Sequence, residues 1–154
     1  MLRALGLGSC IGFCVYDPRL KIGCIAHVML PESRAKDVVE PGKYADTAVP
    51  FVIEEMTRRG STESRLKVAL VGGAQLFSFS GPGEKLDVGK KNAVAIKNHI
   101  SKTRLQIVKE DLGGKVGRTV SLDCNTGDVC VKNAGGVEQF FVCLGIGLES
   151  LKAA

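Results

Sequence analysis

Cys10 and His27 are the residues whose types and spacing point most directly to chemistry. Cys10 ends the run LGLGSC, and His27 stands in the run AHVMLP. The chain has 2 histidines, so the presence of one near this cysteine carries weight. A thiol beside an imidazole is the minimal unit of cysteine-nucleophile catalysis, because the imidazole can take the thiol proton. The pair therefore predicts covalent catalysis if the fold brings the two side chains together.

One predicted β-hairpin has to position both side chains. Residues 5–16 and 21–29 are apolar and rich in strand-forming residues, and the sequence DPRL between them favours a turn. A four-residue loop at 17–20 pairs Cys10 with His27, and directly opposed residues share a face with Cβ atoms about 4.5–5.5 Å apart. A loop one residue shorter or longer would move His27 to the other face.

Two other interpretations of these residues stay open. Cys10, Cys14, Cys24 and His27 have the spacing C-x3-C-x9-C-x2-H, which is close to that of structural zinc sites. The predicted register argues against zinc, because it pairs Cys24 with Phe13 on the opposite face. His27 as an ordinary core histidine is the equal alternative to a catalytic role. The cysteines other than Cys10 are interpreted as small core residues.

Composition restricts the class of protein. A length of 154 residues predicts a single domain over residues 1–154. The net charge of +5 is scattered, so nucleic-acid binding is not expected. The sequence has no apolar run of membrane-spanning length, and the run before Cys10 is too short for a signal peptide. We therefore expect a cytoplasmic protein with reduced thiols and no membrane insertion.

The order of predicted elements indicates the fold class. Helices are predicted at residues 43–59 and 89–102. Further strands are predicted at 66–71, 105–108, 119–122, 128–132 and 137–144. Helices and strands alternate without strict βαβ order, which predicts an α/β or α+β fold with a mixed sheet.

The motifs resemble those of the CheD family of chemoreceptor glutamine deamidases. The resemblance runs in order from about residue 5 to about residue 133. It includes LGLGSC, YDP at 16–18, AHVMLP, KYAD at 43–46, GGA at 72–74, Gly89 with Asn92, Asp111 with Gly113-Gly114, and GRT at 117–119.

The resemblance implies a fold, an activity and partners. The fold would be a layered α/β/β/α arrangement, related to the catalytic domain of a glutamine-deamidating toxin. Cys10 and His27 would be the catalytic pair that converts glutamine side chains on the cytoplasmic helices of chemotaxis receptors to glutamate. A phosphatase of the CheC type would be the partner that links the protein to CheY. No metal or cofactor is implied.

One site position departs from the family pattern. The third catalytic residue of the family is a threonine six positions before the cysteine, and Ala4 stands there. We expect a backbone carbonyl or a water to orient His27 instead, or turnover to be weak. Backbone N–H groups near Cys10, with Ser9 the candidate neighbour, would stabilise the oxyanion. The alternative is a weakened CheD-like regulator that binds CheC or receptor helices without efficient turnover.

Overall fold

Two four-stranded sheets and two α-helices make up the architecture. The computed structural model describes residues 1–77 and 87–146, and the predicted loop at 81–83 lies outside them. Two single-turn 3-10 helices, Pro41–Lys43 and Glu63–Arg65, flank the first α-helix. In chain order the other elements are β1 Leu2–Leu7, β2 Ile11–Asp17, β3 Ile22–Val28, α1 Ala45–Arg58, β4 Lys67–Gly72, α2 Val88–Ser101, β5 Gln106–Leu112, β6 Arg118–Leu122, β7 Asp128–Asn133 and β8 Glu138–Cys143.

The two sheets differ in strand direction. Sheet A has the order β1-β6-β7-β8 and is antiparallel throughout. Sheet B has the order β3-β2-β4-β5 and is mixed, because β4 and β5 run parallel while the other pairs are antiparallel. Helix α2 lies in the connection between the parallel strands β4 and β5, as a parallel crossover requires.

Sheet B separates two hydrophobic cores. Odd-numbered residues of β2, such as Phe13, face α1 and α2, while even-numbered residues, such as Cys14, face sheet A. Both helices pack on the outer face of sheet B, so the described residues form three of the expected layers, in the order α/β/β. The predicted α+β class is confirmed. No helix in the described part of the chain is long and apolar enough to cross a membrane.

The predicted strand at 5–16 is wrong as a single element. The structure divides it into β1, in sheet A, and β2, in sheet B, with Gly8, Ser9 and Cys10 between them. Gly6 has a φ of 65° at a register irregularity of β1, and a residue without a Cβ adopts this conformation easily. The glycines of the LGLGSC run therefore let the chain cross from one sheet to the other immediately before Cys10.

The hairpin turn between β2 and β3 is held by a buried carboxylate. The Asp17 side chain is fully buried and accepts hydrogen bonds from the backbone N–H groups of Arg19 and Leu20. Arg65 donates to the same carboxylate at 2.8 Å. Burial by itself raises the pKa of Asp17, but the hydrogen bonds that the carboxylate accepts, chiefly the one from Arg65, together outweigh it, and the pKa lies below its usual range. The turn is therefore fixed partly by a residue far along the chain.

Candidate active site

Cys10 lies where the chain enters sheet B. It is half-buried and directly precedes β2, while His27 is the penultimate residue of β3 and is also half-buried. The structure pairs Gly12 with His27 and Ile11 with Val28, so the register is shifted by two residues from the predicted pairing of Cys10 with His27. The prediction of direct opposition is wrong because the loop comprises residues 18–21, with Asp17 still paired to Ile22.

A shift of two residues preserves the side of the sheet. Cys10 and His27 lie on the face of sheet B that is turned toward sheet A, with a diagonal relation instead of a direct one. Diagonal neighbours are about 7–8 Å apart between Cα atoms, a distance that a long side chain spans. Gly12 of β2 lies opposite His27. Because glycine has no side chain, β2 places no side chain against the imidazole at this position. The structure therefore places the two predicted site residues on one face.

Three consecutive carbonyls around the nucleophile are anchored. The backbone N–H of Ala74 donates to the carbonyl of Gly8 at 2.7 Å, and that of Gly73 donates to the carbonyl of Cys10 at 2.9 Å. The carbonyl of Ser9 accepts from the Asn92 side chain at 2.9 Å. The segment that carries the thiol is thus fixed by hydrogen bonds from the end of β4 and from α2.

Two glycines allow this close approach. A Cβ on Gly72 would lie 2.2 Å from the carbonyl oxygen of Cys10, and Gly72 has a φ of 123°. A Cβ on Gly89 would lie 2.3 Å from the carbonyl oxygen of Gly73. The Gly72-Gly73 pair at the end of β4 lets the backbone of this strand reach the nucleophile, and the signal in the sequence was a Gly-Gly at the end of a buried strand.

Two backbone donors at the site have no acceptor in the part of the chain that the structure describes. Neither the N–H of Ser9 nor the N–H of Cys10 makes a hydrogen bond within residues 1–77 and 87–146. Adjacent N–H groups beside a nucleophile are the usual donors to an oxyanion. The Ser9 hydroxyl is a third polar group there and favours the thiolate of Cys10. These groups agree in position with the oxyanion role that the sequence suggested for the neighbourhood of Ser9.

Both predicted catalytic groups favour their neutral forms. Burial raises the pKa of the Cys10 thiol, and the Ser9 hydroxyl only partly opposes that shift. Burial also lowers the pKa of the His27 imidazole. A neutral imidazole can accept a proton, so the arrangement suits a base that removes the thiol proton during attack rather than a preformed ion pair.

The third position of the family pattern is filled by a buried methyl group. Ala4 is 5% exposed, pairs with Val120 in sheet A and belongs to the core between the sheets. Strand β1 contacts β3, the strand that carries His27. In the described part of the chain no group hydrogen-bonds to the His27 ring, so the carbonyl that we expected to orient it is not found there.

The zinc interpretation does not fit the site. Cys24 pairs with Val15 and packs in the core beneath the helices, on the opposite face from Cys10 and His27. The predicted separation of Cys24 is confirmed, although its partner is Val15 and not Phe13. The described residues contain no group of three or more possible metal ligands. Burial raises the pKa of Cys14 to about 12, as expected for an inert core thiol.

A small cavity opens beside the nucleophile. It has a volume of about 170 Å³ and lies between Ser9, Ala74, the exposed side chains of Leu76 and Phe77, and the first turn of α2 at Gly89. Apolar side chains line part of the cavity, and the backbone segment that leads into Cys10 lines another part. Its lining includes Ser9, the residue directly before Cys10, but not Cys10 itself.

Comparison with known proteins points in one direction. A family model described as CheD, chemotactic sensory transduction, matches residues 29–133, a segment that begins just after His27. A protein of Thermotoga maritima named chemoreceptor glutamine deamidase CheD is 42% identical over 90% of this chain and 85% of its own length. Two further relatives are named probable chemoreceptor glutamine deamidase CheD. The one from Syntrophomonas wolfei is 43% identical over 90% of this chain and 86% of its own length. The one from Methanococcus maripaludis is 45% identical over 82% of this chain and 80% of its own length.

Proposed function

The chain belongs to the CheD family, and we propose that it is a chemoreceptor glutamine deamidase with Cys10 as nucleophile and His27 as base and acid. The observation that carries the proposal is that both side chains lie on one face, beside two backbone N–H groups that have no acceptor among the described residues. The relatives with 42–45% identity bear this activity in their names. The substrate would be a receptor glutamine, and the products glutamate and ammonia.

The first half of the reaction forms a thioester. His27 takes the proton of the Cys10 thiol as the sulfur attacks the carboxamide carbon of the glutamine. The carbonyl oxygen becomes an oxyanion, and the N–H groups of Ser9 and Cys10 stabilise it. One such donor contributes about 3–4 kcal/mol to the transition state in well-studied hydrolases. His27 then returns its proton to the leaving nitrogen, and the C–N bond breaks to release ammonia.

The second half regenerates the enzyme. His27 removes a proton from water, which attacks the thioester carbon and passes through a second oxyanion at the same donors. The C–S bond breaks, Cys10 recovers its proton from His27, and the side chain leaves as glutamate. The net change adds one water and releases one ammonia, so no redox partner or cofactor is needed.

Mass spectrometry of receptor fragments tests the proposal. Each converted glutamine gains about 1 Da, and covalent catalysis requires that the gain disappear in Cys10→Ala. His27→Gln should also abolish conversion, since it removes the base. Cys130→Ala is the matched control, because Cys130 is a half-buried thiol in sheet A outside the site. Conversion by Cys10→Ala, or no conversion by the wild-type protein, would contradict the proposal.

The family resemblance also supplies a location and a partner. We include in the proposal a cytoplasmic location and binding to a phosphatase of the CheC type. Co-purification of the two proteins, measured with and without receptor fragments, tests the partner. An equal yield from an unrelated phosphatase would argue against it.

A further inference from the structure

Asn92 is a buried amide that joins both halves of the site. It lies in the second turn of α2 and is fully buried. Its Nδ2 donates to the carbonyl of Ser9 and to the carbonyl of Met29, each at 2.9 Å. Ser9 directly precedes Cys10, and Met29 comes two residues after His27. One side chain therefore connects the segment of the nucleophile with the segment of the base.

The two carbonyls lie just beyond the end of the β2–β3 ladder. The last backbone pair is Ile11 with Val28, and continuation of the same register would place Cys10 opposite Met29. The ladder ends at this point because residues 8–10 turn toward sheet A. The Asn92 amide bridges the gap in place of a further backbone rung.

The Oδ1 atom of Asn92 indicates that this side chain does more than fill space in the core. It is buried and has no hydrogen-bond partner within the described ranges. A buried polar atom without a partner is unfavourable, and such atoms call for a specific explanation. The two carbonyl acceptors fix the orientation of the amide, because the reversed amide would point its oxygen at both of them.

The Ser9 carbonyl shares a peptide plane with the Cys10 N–H. In a trans peptide these two groups point in opposite directions, and the described chain contains no cis peptide. The Ser9 carbonyl is held against Asn92, so the Cys10 N–H is turned away from α2, and it has no acceptor within residues 1–77 and 87–146. The hydrogen bond from the Ala74 N–H to the Gly8 carbonyl fixes the direction of the Ser9 N–H in the same way, because that carbonyl and that N–H belong to one peptide plane.

We infer that Asn92 is a positioning residue that fixes the Ser9–Cys10 peptide and thereby directs the Cys10 N–H at the oxyanion. The inference rests on the proposed function and deepens it. Asn92 does not touch the substrate. It acts through the peptide whose carbonyl it binds, and it ties the ends of β2 and β3 together at the same point.

Two variants of Asn92 separate positioning from simple structural support. Asn92→Asp keeps the shape but replaces the donors with a carboxylate, and Asn92→Ser, which is smaller, keeps one donor. Loss of an oriented oxyanion donor lowers kcat about 100-fold or more, so we expect that loss in Asn92→Asp and a smaller loss in Asn92→Ser. Alkylation of Cys10 by iodoacetamide forms no oxyanion and should change by less than about threefold.

A stability control accompanies these measurements. Ile100→Val removes a buried methyl group at the other end of α2 and should lower the melting temperature without lowering kcat. If kcat and the rate of Cys10 alkylation fall by the same factor in both Asn92 variants, Asn92 has only a structural role and the inference is wrong. Unchanged kcat in Asn92→Ser and Asn92→Asp would also overturn the inference.

An aldehyde adduct tests the inference independently of receptor turnover. Butanal labelled with ¹³C at its carbonyl resembles the end of a glutamine side chain and forms a hemithioacetal with Cys10, whose oxygen occupies the oxyanion position. The inference expects the adduct, followed by NMR, to weaken at least about tenfold in Asn92→Ser. If the wild type forms this Asn92-dependent adduct but leaves receptors unchanged, the inference stands and the proposed function fails. An adduct of equal strength in the variant overturns the inference.

Discussion

At the residue scale, the neutral forms of Cys10 and His27 determine the pH dependence. Burial lowers the pKa of His27 from its usual 6.5, so the base is already available at neutral pH. We expect kcat/KM to rise with pH, to reach half its maximum below pH 6.5 and then to stay level. Burial raises the pKa of Cys10 above 9.0, so iodoacetamide labelling, which needs the thiolate, should keep rising beyond pH 9.

Parallel pH profiles of turnover and labelling check this expectation. Rapid labelling of Cys10 that stays constant down to pH 6 would instead indicate a thiolate–imidazolium pair and contradict the assignment of His27 as a neutral base. Cys14 provides the internal reference, because its pKa of about 12 keeps it a thiol throughout.

Ala4 is the residue whose replacement should increase activity. It is buried between the sheets on β1, which contacts the strand of His27, and it offers no hydrogen bond. Ala4→Thr supplies a hydroxyl at the position where the family has one. Loss of the orienting residue in a related triad costs about 10⁴ in kcat, so even partial orientation should raise turnover about tenfold.

Ala4→Val is the matched control for that experiment. Valine has the shape of threonine without the hydroxyl, so both variants carry the same packing cost of about 1–3 kcal/mol. Steady-state rates on receptor fragments distinguish them. Equal rates in the two variants would show that the hydroxyl has no orienting role here.

At the scale of elements, the sequence predicted the face of each side chain better than its partner. The alternation of β2 and β3 was sufficient to place Cys10 and His27 together and Cys24 apart. The register was missed because Asp17 stays in the ladder, where its buried carboxylate pairs with Arg65. That partner is distant in sequence, so local turn preferences could not reveal it.

The contact of β4 with the nucleophile depends on Gly72. Alanine there would suffer an unfavourable positive φ, worth about 1–2 kcal/mol, together with an overlap with the Cys10 carbonyl oxygen. We expect Gly72→Ala to lower the free energy of unfolding by about 3 kcal/mol or more and to abolish turnover. Urea denaturation followed by circular dichroism measures this, since the chain has no tryptophan.

Gly113→Ala is the control for the steric part of that effect. Gly113 also has a positive φ, of 88°, but no atom lies within 4 Å of its Cβ position. Its replacement should cost about 1–2 kcal/mol and leave turnover intact. A similar cost at both positions would mean that the approach to Cys10 tolerates a Cβ.

At the scale of the whole molecule, the order of the predicted helices and strands was sufficient to predict the fold class. It did not reveal that the strands form two separate sheets. Residues 5–16 form one continuous apolar pattern, and only the glycines within it indicated a crossing. The site depends on that crossing, because Gly8, Ser9 and Cys10 leave both ladders there and expose two N–H groups. The role of Asn92 was similarly hidden, although the residue belongs to the family motifs, because its acceptors come from two segments that only the tertiary fold brings together.

The two-sheet arrangement makes Cys14 a reporter of global unfolding. Its side chain is fully buried between the sheets, so an alkylating reagent reaches it only when sheet A separates from sheet B. With a typical free energy of unfolding of at least about 5 kcal/mol, labelling at pH 8 should be more than about 10³-fold slower at Cys14 than at Cys130, which is half-buried. Peptide mapping after timed exposure to iodoacetamide gives both rates, and urea should accelerate Cys14 with the slope of global unfolding. Labelling of Cys14 at the rate of Cys130 would mean that the two sheets open locally, without unfolding of the rest.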